Sequence, residues 1–321
     1  MLVIAFQLLP LVIVVGALAA LLWHWRILPI ITRGFAWALQ RTLGIGGAVG
    51  LGSAANLFLG MVEAPLFIRA YIPRLTRSEL FMLMTVGLST VSGTVLVLYA
   101  TTLEPVVEGA IGHILTASII SLPAAVLMSK IMIPDETATD TDEKDPGISY
   151  ASSMDAVTQG TQDGLKLFLN IIAMLIVVFA LVALADSILA FIGEVNGEPV
   201  TLQRIFGWLF SPLVVLFGVP LEDAAAAGSL MGTKAILNEF VAYLQLAGGE
   251  SEKLTPRTVL IMTYAMCGFA NLGSVGMLIS ALSTLAPERR PEIAELGLRS
   301  FLAGNLATGM TGAVVGLITW G

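Results

Sequence analysis

Asn56-Leu57-Phe58-Leu59-Gly60-Met61-Val62-Glu63-Ala64-Pro65 and Asn238-Glu239-Phe240-Val241-Ala242-Tyr243 each place one carboxylate inside apolar sequence. The chain around them has 321 residues, 56% of them hydrophobic and only 12% charged. A soluble domain carries about 25% charged residues, so this is the composition of an integral membrane protein. At membrane depth an ionisable side chain costs a few kcal/mol unless it meets a partner, an ion, a substrate or water. Two such groups, one in each half, point to a polar cavity near the membrane midplane, as in a transporter.

The 32 glycines and 14 prolines are too many for plain straight helices. They predict broken helices and re-entrant hairpins, whose loose backbone must be buried in protein or line a cavity. Cys267 is the one cysteine, which excludes an intramolecular disulfide and a multi-cysteine metal site. His24 and His113 lack a metal-ligand spacing. The net charge of −7 gives no reason to expect nucleic acid as a partner. Much of it sits in residues 134–147, which read as a solvated acidic loop without the glycine and glutamate spacing of a calcium loop.

Residues 2–25 read as a mature spanning helix rather than a signal peptide, because a basic n-region and a small-residue cleavage site are both missing. The helix ends in the interface anchor Trp23-His24-Trp25-Arg26. Residues 29–43 set Arg33 and Arg41 among Phe35, Trp37 and Leu39, which predicts an amphipathic helix in the interface. Residues 44–60 form one arm of a first hairpin, turned by Gly60 and Pro65 and returning through 66–71. Residues 80–101 form a spanning segment interrupted at Ser89-Thr90-Val91-Ser92-Gly93, and 106–132 a span bent at Pro123.

In the second half, 165–192 is an apolar helix with Asp186 near its end, and 202–210 a second interfacial helix. After Gly218-Val219-Pro220 comes a second hairpin: arm 224–231, tip Gly232-Thr233-Lys234, return arm 235–246. Residues 259–285 are interrupted at Gly268-Phe269-Ala270-Asn271-Leu272-Gly273-Ser274, and 296–320 form the last span. Hairpin with glutamate, then helix broken by small polar residues, occurs twice. Such paired interruptions are the best sequence pointer to a transport site. The expected fold is an all-α membrane protein: a polytopic helical bundle with two re-entrant hairpins and two broken transmembrane helices in an inverted-repeat transport domain. It divides into a first scaffold helix with interfacial helix (1–43), a first transport half (44–132), the acidic loop (133–164), a scaffold and interfacial helix (165–210) and a second transport half (211–321).

Several runs resemble the concentrative nucleoside transporters: Gly218-Val219-Pro220-Leu221-Glu222-Asp223-Ala224, Gly228-Ser229-Leu230-Met231-Gly232-Thr233-Lys234, the Asn238–Tyr243 element, Cys267 to Ser274, Leu285-Ala286-Pro287-Glu288-Arg289-Arg290, and Ala54-Ala55-Asn56 through Ile68-Arg69. The resemblance covers almost the whole chain. It implies a cation-driven importer in the plasma or inner membrane, assembled as a homotrimer, with no cofactor beyond the coupling ion. It also implies that Glu239, Asn271 and Ser274 hold ribose hydroxyls, that Phe269 lines the pocket, and that Glu63 lies on the base-facing side. The sodium positions carried over by motif are Asn56, Leu59, Thr90 and Val91, with Leu59 and Val91 contributing carbonyls. The residue chemistry agrees: a carboxylate can accept from vicinal hydroxyls, and carbonyl, hydroxyl and amide oxygens suit a hard cation.

This chain departs from the family pattern at Met61 and Val62, where the family has Gln-Thr to read the base edge. Losing such groups relaxes discrimination and leaves the identity of the ribosyl compound open. The chain also starts where family members are past their first spanning helices, so a reduced or truncated scaffold is expected. Either sodium or a proton could be the coupling ion.

Plainer roles stand beside these. Glu239 could pair with Lys234, and Glu63 with Arg69. Asn271 and Ser274 could cap half-helices, and Thr90 could bond back within its own helix. Cys267 could simply pack, and Asp186 could be an interface or loop residue. Two other functions stand as alternatives to a symporter: a non-transporting ligand-binding membrane protein of the same fold, and an intramembrane enzyme using Glu63 and Glu239 as an acid/base pair.

Overall fold

Residues 10–69, 71–134, 149–195 and 197–319 are described by a computed structural model of the chain. The fold is all-α, with only a two-residue ribbon (β1, Glu194–Val195; β2, Glu198–Pro199) among the described residues. Helix α1 (Leu11–His24) turns through 79° into α2 (Ile27–Leu43). Arg26 sits at the corner with φ 63°. Ile30 and Trp37 on α2 are 68% and 65% exposed, the apolar face expected of an interfacial helix.

The first hairpin is α3 (Gly47–Leu59) and the short α4 (Ala64–Phe67), joined at Gly60. Gly60 has φ 93°, and a Cβ there would lie 3.0 Å from Ser92 Cβ, so glycine is required both for the turn and for close approach. The first broken helix follows as α5 (Arg77–Ser89) and α6 (Gly93–Leu103). Thr76 and Glu79 close a reciprocal capping box at the start of α5. Helix α7 (Ala110–Met132) runs unbroken past Pro123.

Helix α8 spans Ser153–Leu189 and is capped by the Ser152 side chain. It starts well before the expected residue 165: a serine N-cap and a polar first stretch extend an apolar helix into water. Residues 135–148, which hold most of the acidic stretch, lie outside the described residues. Helix α9 (Leu202–Leu216) runs beyond the expected 210. Asp186 accepts the Leu202 backbone N–H at 2.8 Å, tying the end of α8 to the start of α9.

The second hairpin is α10 (Ala224–Ile236) and α11 (Glu239–Ala247). Its turn falls at Leu237-Asn238, not at the expected Gly232-Thr233-Lys234. Gly232 stays helical because it gives room to α9: a Cβ there would lie 2.3 Å from Phe206 Cβ. Asn238 starts the return arm by accepting the Val241 N–H at 2.9 Å. The second broken helix is α12 (Pro256–Ala265) and α13 (Leu272–Leu285), and α14 (Arg290–Ile318) closes the bundle, beginning earlier than the expected 296. Among the described residues the α5–α6 segment, α7 and α14 are long and apolar enough to cross a membrane, with α1–α2 a fourth if counted as one bent span.

Two apolar cores organise these pieces. The first hairpin shares one core with α5 and α13 residues such as Leu83, Val86, Val275 and Leu278. The second hairpin shares the other with α6 and α12 residues such as Leu98, Tyr99, Ile261 and Met262. The halves of each broken helix therefore sort into different cores, and both breaks lie between them. Phe269 packs against both cores.

Helices α1 and α8 meet over glycine. A Cβ on Gly160 would lie 2.6 Å from Gly16 O and 2.7 Å from Ala20 Cβ. Gly160→Ala is therefore expected to destabilise the protein by about 1–3 kcal/mol through overpacking. Thermal unfolding in detergent measures this, and an unshifted midpoint would show that the two helices separate freely.

Candidate functional site

The two breaks cross. Phe269 N–H donates to Thr90 O at 3.4 Å. A Cβ on Gly268 would lie 2.8 Å from Ser89 O and 2.7 Å from Thr308 Cγ2, so only glycine lets the second break lie on the first. Freed backbone is buried in protein here, one of the two settings in which a membrane tolerates it.

Glu239, the first residue of α11, reaches this crossing. It is 4% exposed. Its Oε1 accepts from Tyr99 OH at 2.6 Å and its Oε2 from Asn271 Nδ2 at 2.9 Å. The start of α11 also favours a negative charge. Two bonds do not exhaust a carboxylate, which offers about four lone-pair sites. Asn271 uses its other end to cap α13, Oδ1 accepting from Ser274 N–H at 2.8 Å. Asn271 thus caps α13 and reaches Glu239 at the same time. Ser274 is 3% exposed; its backbone N–H goes to Asn271, and its hydroxyl has no hydrogen bond among the described residues. Tyr99 was missed in the sequence because a single tyrosine on an apolar helix carries no motif; it stacks on Phe240 at 5.9 Å and tilts against Tyr243 at 5.3 Å.

Lys234 does not pair with Glu239. It donates to Asn305 Oδ1 at 2.7 Å and Thr308 Oγ1 at 3.1 Å, both on α14. Cys267 is buried with its thiol directed to Ile114 O at 3.7 Å, a packing position.

The first hairpin meets the first break through Asn56. Its Nδ2 donates to Val86 O at 3.3 Å and to Thr90 Oγ1. Thr90 Oγ1 also donates back to Val86 O at 3.0 Å, so the back-bonding reading of Thr90 holds alongside its contact with Asn56. Asn56 Oδ1 is buried without a partner among the described residues, and a buried acceptor left unmade costs about 1–3 kcal/mol. Leu59 is the last residue of α3, where helix carbonyls lack intrahelical donors. Val91 exchanges weak bonds with Ser118 Oγ, donating from N at 3.3 Å and accepting at O at 3.4 Å. An orphan amide oxygen beside a hydroxyl and a helix C-terminus is an all-oxygen, uncharged donor set that fits a monovalent cation.

The departures from the family motif separate in space. Met61 is buried at 6%, and a Cβ on Gly87 would lie 3.2 Å from Met61 Cβ, whereas Val62 is 38% exposed. Glu63 is exposed and makes no ion pair among the described residues, with Arg69 or otherwise.

Comparison with known proteins gives this geometry its context. Residues 113–316 match the family model described as Na+ dependent nucleoside transporter C-terminus, and residues 5–106 match one described as nucleoside recognition. The chain belongs to the concentrative nucleoside transporter family. It is 40% identical over 319 residues to the uncharacterized transporter YutK of Bacillus subtilis, covering 98% of this chain and 77% of that protein. It is 36% identical to the nucleoside permease NupC of Helicobacter pylori, covering 98% of this chain and 75% of that one. Against human solute carrier family 28 member 3 the identity is 32%, over 98% of this chain and 48% of the human protein. Among solved structures, CNTnw in an inward-facing substrate-bound state superposes with a TM-score of 0.89 at 36% identity, over 98% of this chain and 76% of that one. A CNTnw variant in an outward-facing state gives 0.91 at 34% identity, with the same coverage of both chains. This transporter is thus a multi-pass membrane protein whose relatives are transporters, and the acid/base enzyme reading of Glu63 and Glu239 falls away.

Proposed function

We propose that this transporter is a secondary active symporter that imports nucleosides or a related ribosyl compound driven by a sodium gradient, with the proton as the alternative coupling ion. The observation that carries this reading is the buried Glu239–Asn271 pair at the crossing of two broken helices, with acceptor capacity on the carboxylate and the Ser274 hydroxyl left unspent. Vicinal ribose hydroxyls match such a set, with Phe269 as the apolar wall and Glu63 and Val62 on the base side. Sodium is assigned to Asn56, Leu59, Thr90 and Val91. When bound, the ion would satisfy the orphan Asn56 oxygen and hold the first hairpin against the first break. Substrate then meets an ordered pocket, which couples the two.

In the same reading both hairpins are re-entrant, 44–132 and 211–321 are the moving halves, and 1–43 with 165–210 is the scaffold. The assembly is a homotrimer in the plasma or inner membrane. Uptake of labelled uridine and adenosine into proteoliposomes, under sodium and proton gradients separately, tests the function. Accumulation under one gradient supports symport and names the ion; neither accumulation nor counterflow in folded protein would favour a non-transporting binding protein of the same fold. That second reading draws on Met61 and Val62, which offer no polar group to a base.

Replacing Met61 by Gln together with Val62 by Thr is expected to raise nucleoside affinity by about tenfold, the worth of one or two hydrogen bonds. Equilibrium binding measures it. No gain would mean that the base pocket has diverged beyond these two positions.

A further inference from the structure

Lys234 is fully buried, and its amine donates to two neutral acceptors, Asn305 Oδ1 at 2.7 Å and Thr308 Oγ1 at 3.1 Å. Burying a lysine amine costs free energy even when it is hydrogen-bonded, so the position asks for an account that packing does not provide. Asn305 supplies the next link. Its Nδ2 donates to Ala270 O at 3.1 Å and to Phe301 O at 3.0 Å. Ala270 is the residue between Phe269 and Asn271 in the second break, where the carbonyl has lost its helical donor. Asn271 then donates to Glu239 Oε2 at 2.9 Å, and Glu239 begins the other arm of the hairpin that carries Lys234. The bonds therefore close a ring: α10 to α14, α14 to the break, and the break back to α11.

We infer that Lys234 and Asn305 are positioning residues for ribose recognition, which set the Phe269–Asn271 break so that Asn271 and Glu239 face the substrate together. The amide orientation explains the need for a donor at position 234. Asn305 must donate with Nδ2 to Ala270 O, so its Oδ1 must face a donor, and the Lys234 amine fixes that choice. A flipped amide would set its oxygen against the Ala270 carbonyl. The ring rests on the assignment of Glu239 and Asn271 to ribose proposed above.

The test compares equilibrium binding of uridine with that of 2′,3′-dideoxyuridine to purified protein in detergent, so that discrimination is read as a ratio. Three substitutions are informative. Lys234→Met removes the amine. Asn305→Asp keeps an acceptor for Lys234 but loses the donor to Ala270 O, so it isolates the second link and serves if the first variant fails to fold. Lys234→Arg restores a donor. In Lys234→Met and Asn305→Asp the ratio is expected to collapse by about tenfold, the worth of one hydrogen bond, with dideoxyuridine affinity nearly unchanged and partial recovery in Lys234→Arg. A structural lesion would weaken both ligands equally and overturn the inference, as would an intact ratio in folded Asn305→Asp. Glu239→Gln is the control. If it also leaves the ratio intact, the ribose assignment itself fails; if it collapses the ratio while the other two do not, only the positioning role fails.

Discussion

Glu239→Gln is expected to weaken nucleoside binding by about a hundredfold or more while leaving the protein folded. The carboxylate now accepts from Tyr99 OH and Asn271 Nδ2 and keeps further lone pairs for substrate. A glutamine of nearly the same shape presents one oxygen and one NH2. If the NH2 faces Asn271, donor meets donor; if it faces the substrate, the acceptor for a ribose hydroxyl is gone. Hydrogen bonds to a charged group contribute about 1.5–3 kcal/mol each, and two of them convert to a factor of a few hundred or more in Kd. The fold is expected to survive because glutamine keeps the side chain's shape and an acceptor oxygen, while the desolvation cost of a buried carboxylate is removed. Isothermal titration with uridine, alongside a thermal unfolding curve, reads both halves of the prediction. Unchanged affinity in a folded variant would sink the ribose assignment.

Asn56→Leu is expected to abolish the sodium dependence of uptake. The amide joins α3 to the α5–α6 break through Val86 O and Thr90 Oγ1, and its Oδ1 is buried without a partner among the described residues. Leucine is similar in bulk but offers the cation nothing and unties the first hairpin from the break. Coupling between two sites is typically worth about 1–3 kcal/mol, a 5–150-fold change in affinity. In the unaltered protein sodium should raise nucleoside affinity within that range, and in the variant the ratio with and without sodium should fall to one. A variant that still responds fully to sodium would move the ion elsewhere, and a response to a proton gradient alone would point to an ionisable coupling group.

The sequence determined the class of fold and the positions of both breaks. Composition reports the solvent, and in a membrane a run such as Ser89-Thr90-Val91-Ser92-Gly93 or Gly268–Ser274 interrupts a helix by local chemistry alone. Motif resemblance points to Glu239, Asn271 and Asn56 as candidate site residues. The local signals misled where glycine had two meanings: Gly232 reads like a turn but stays helical to make room for Phe206, while the true tip is fixed by the Asn238 cap. The start of α8 was likewise placed too late, because apolar runs mark membrane depth and not the polar turns a helix adds in water. What only the tertiary structure decided is which distant groups meet: Tyr99 with Glu239, Lys234 with Asn305 rather than Glu239, and one break laid across the other through Phe269 and Thr90. Those pairings join residues up to 179 positions apart (Thr90 to Phe269, 269 − 90), and no local propensity encodes them. They follow from how the two apolar cores divide the broken helices between them, a property of the packed molecule as a whole.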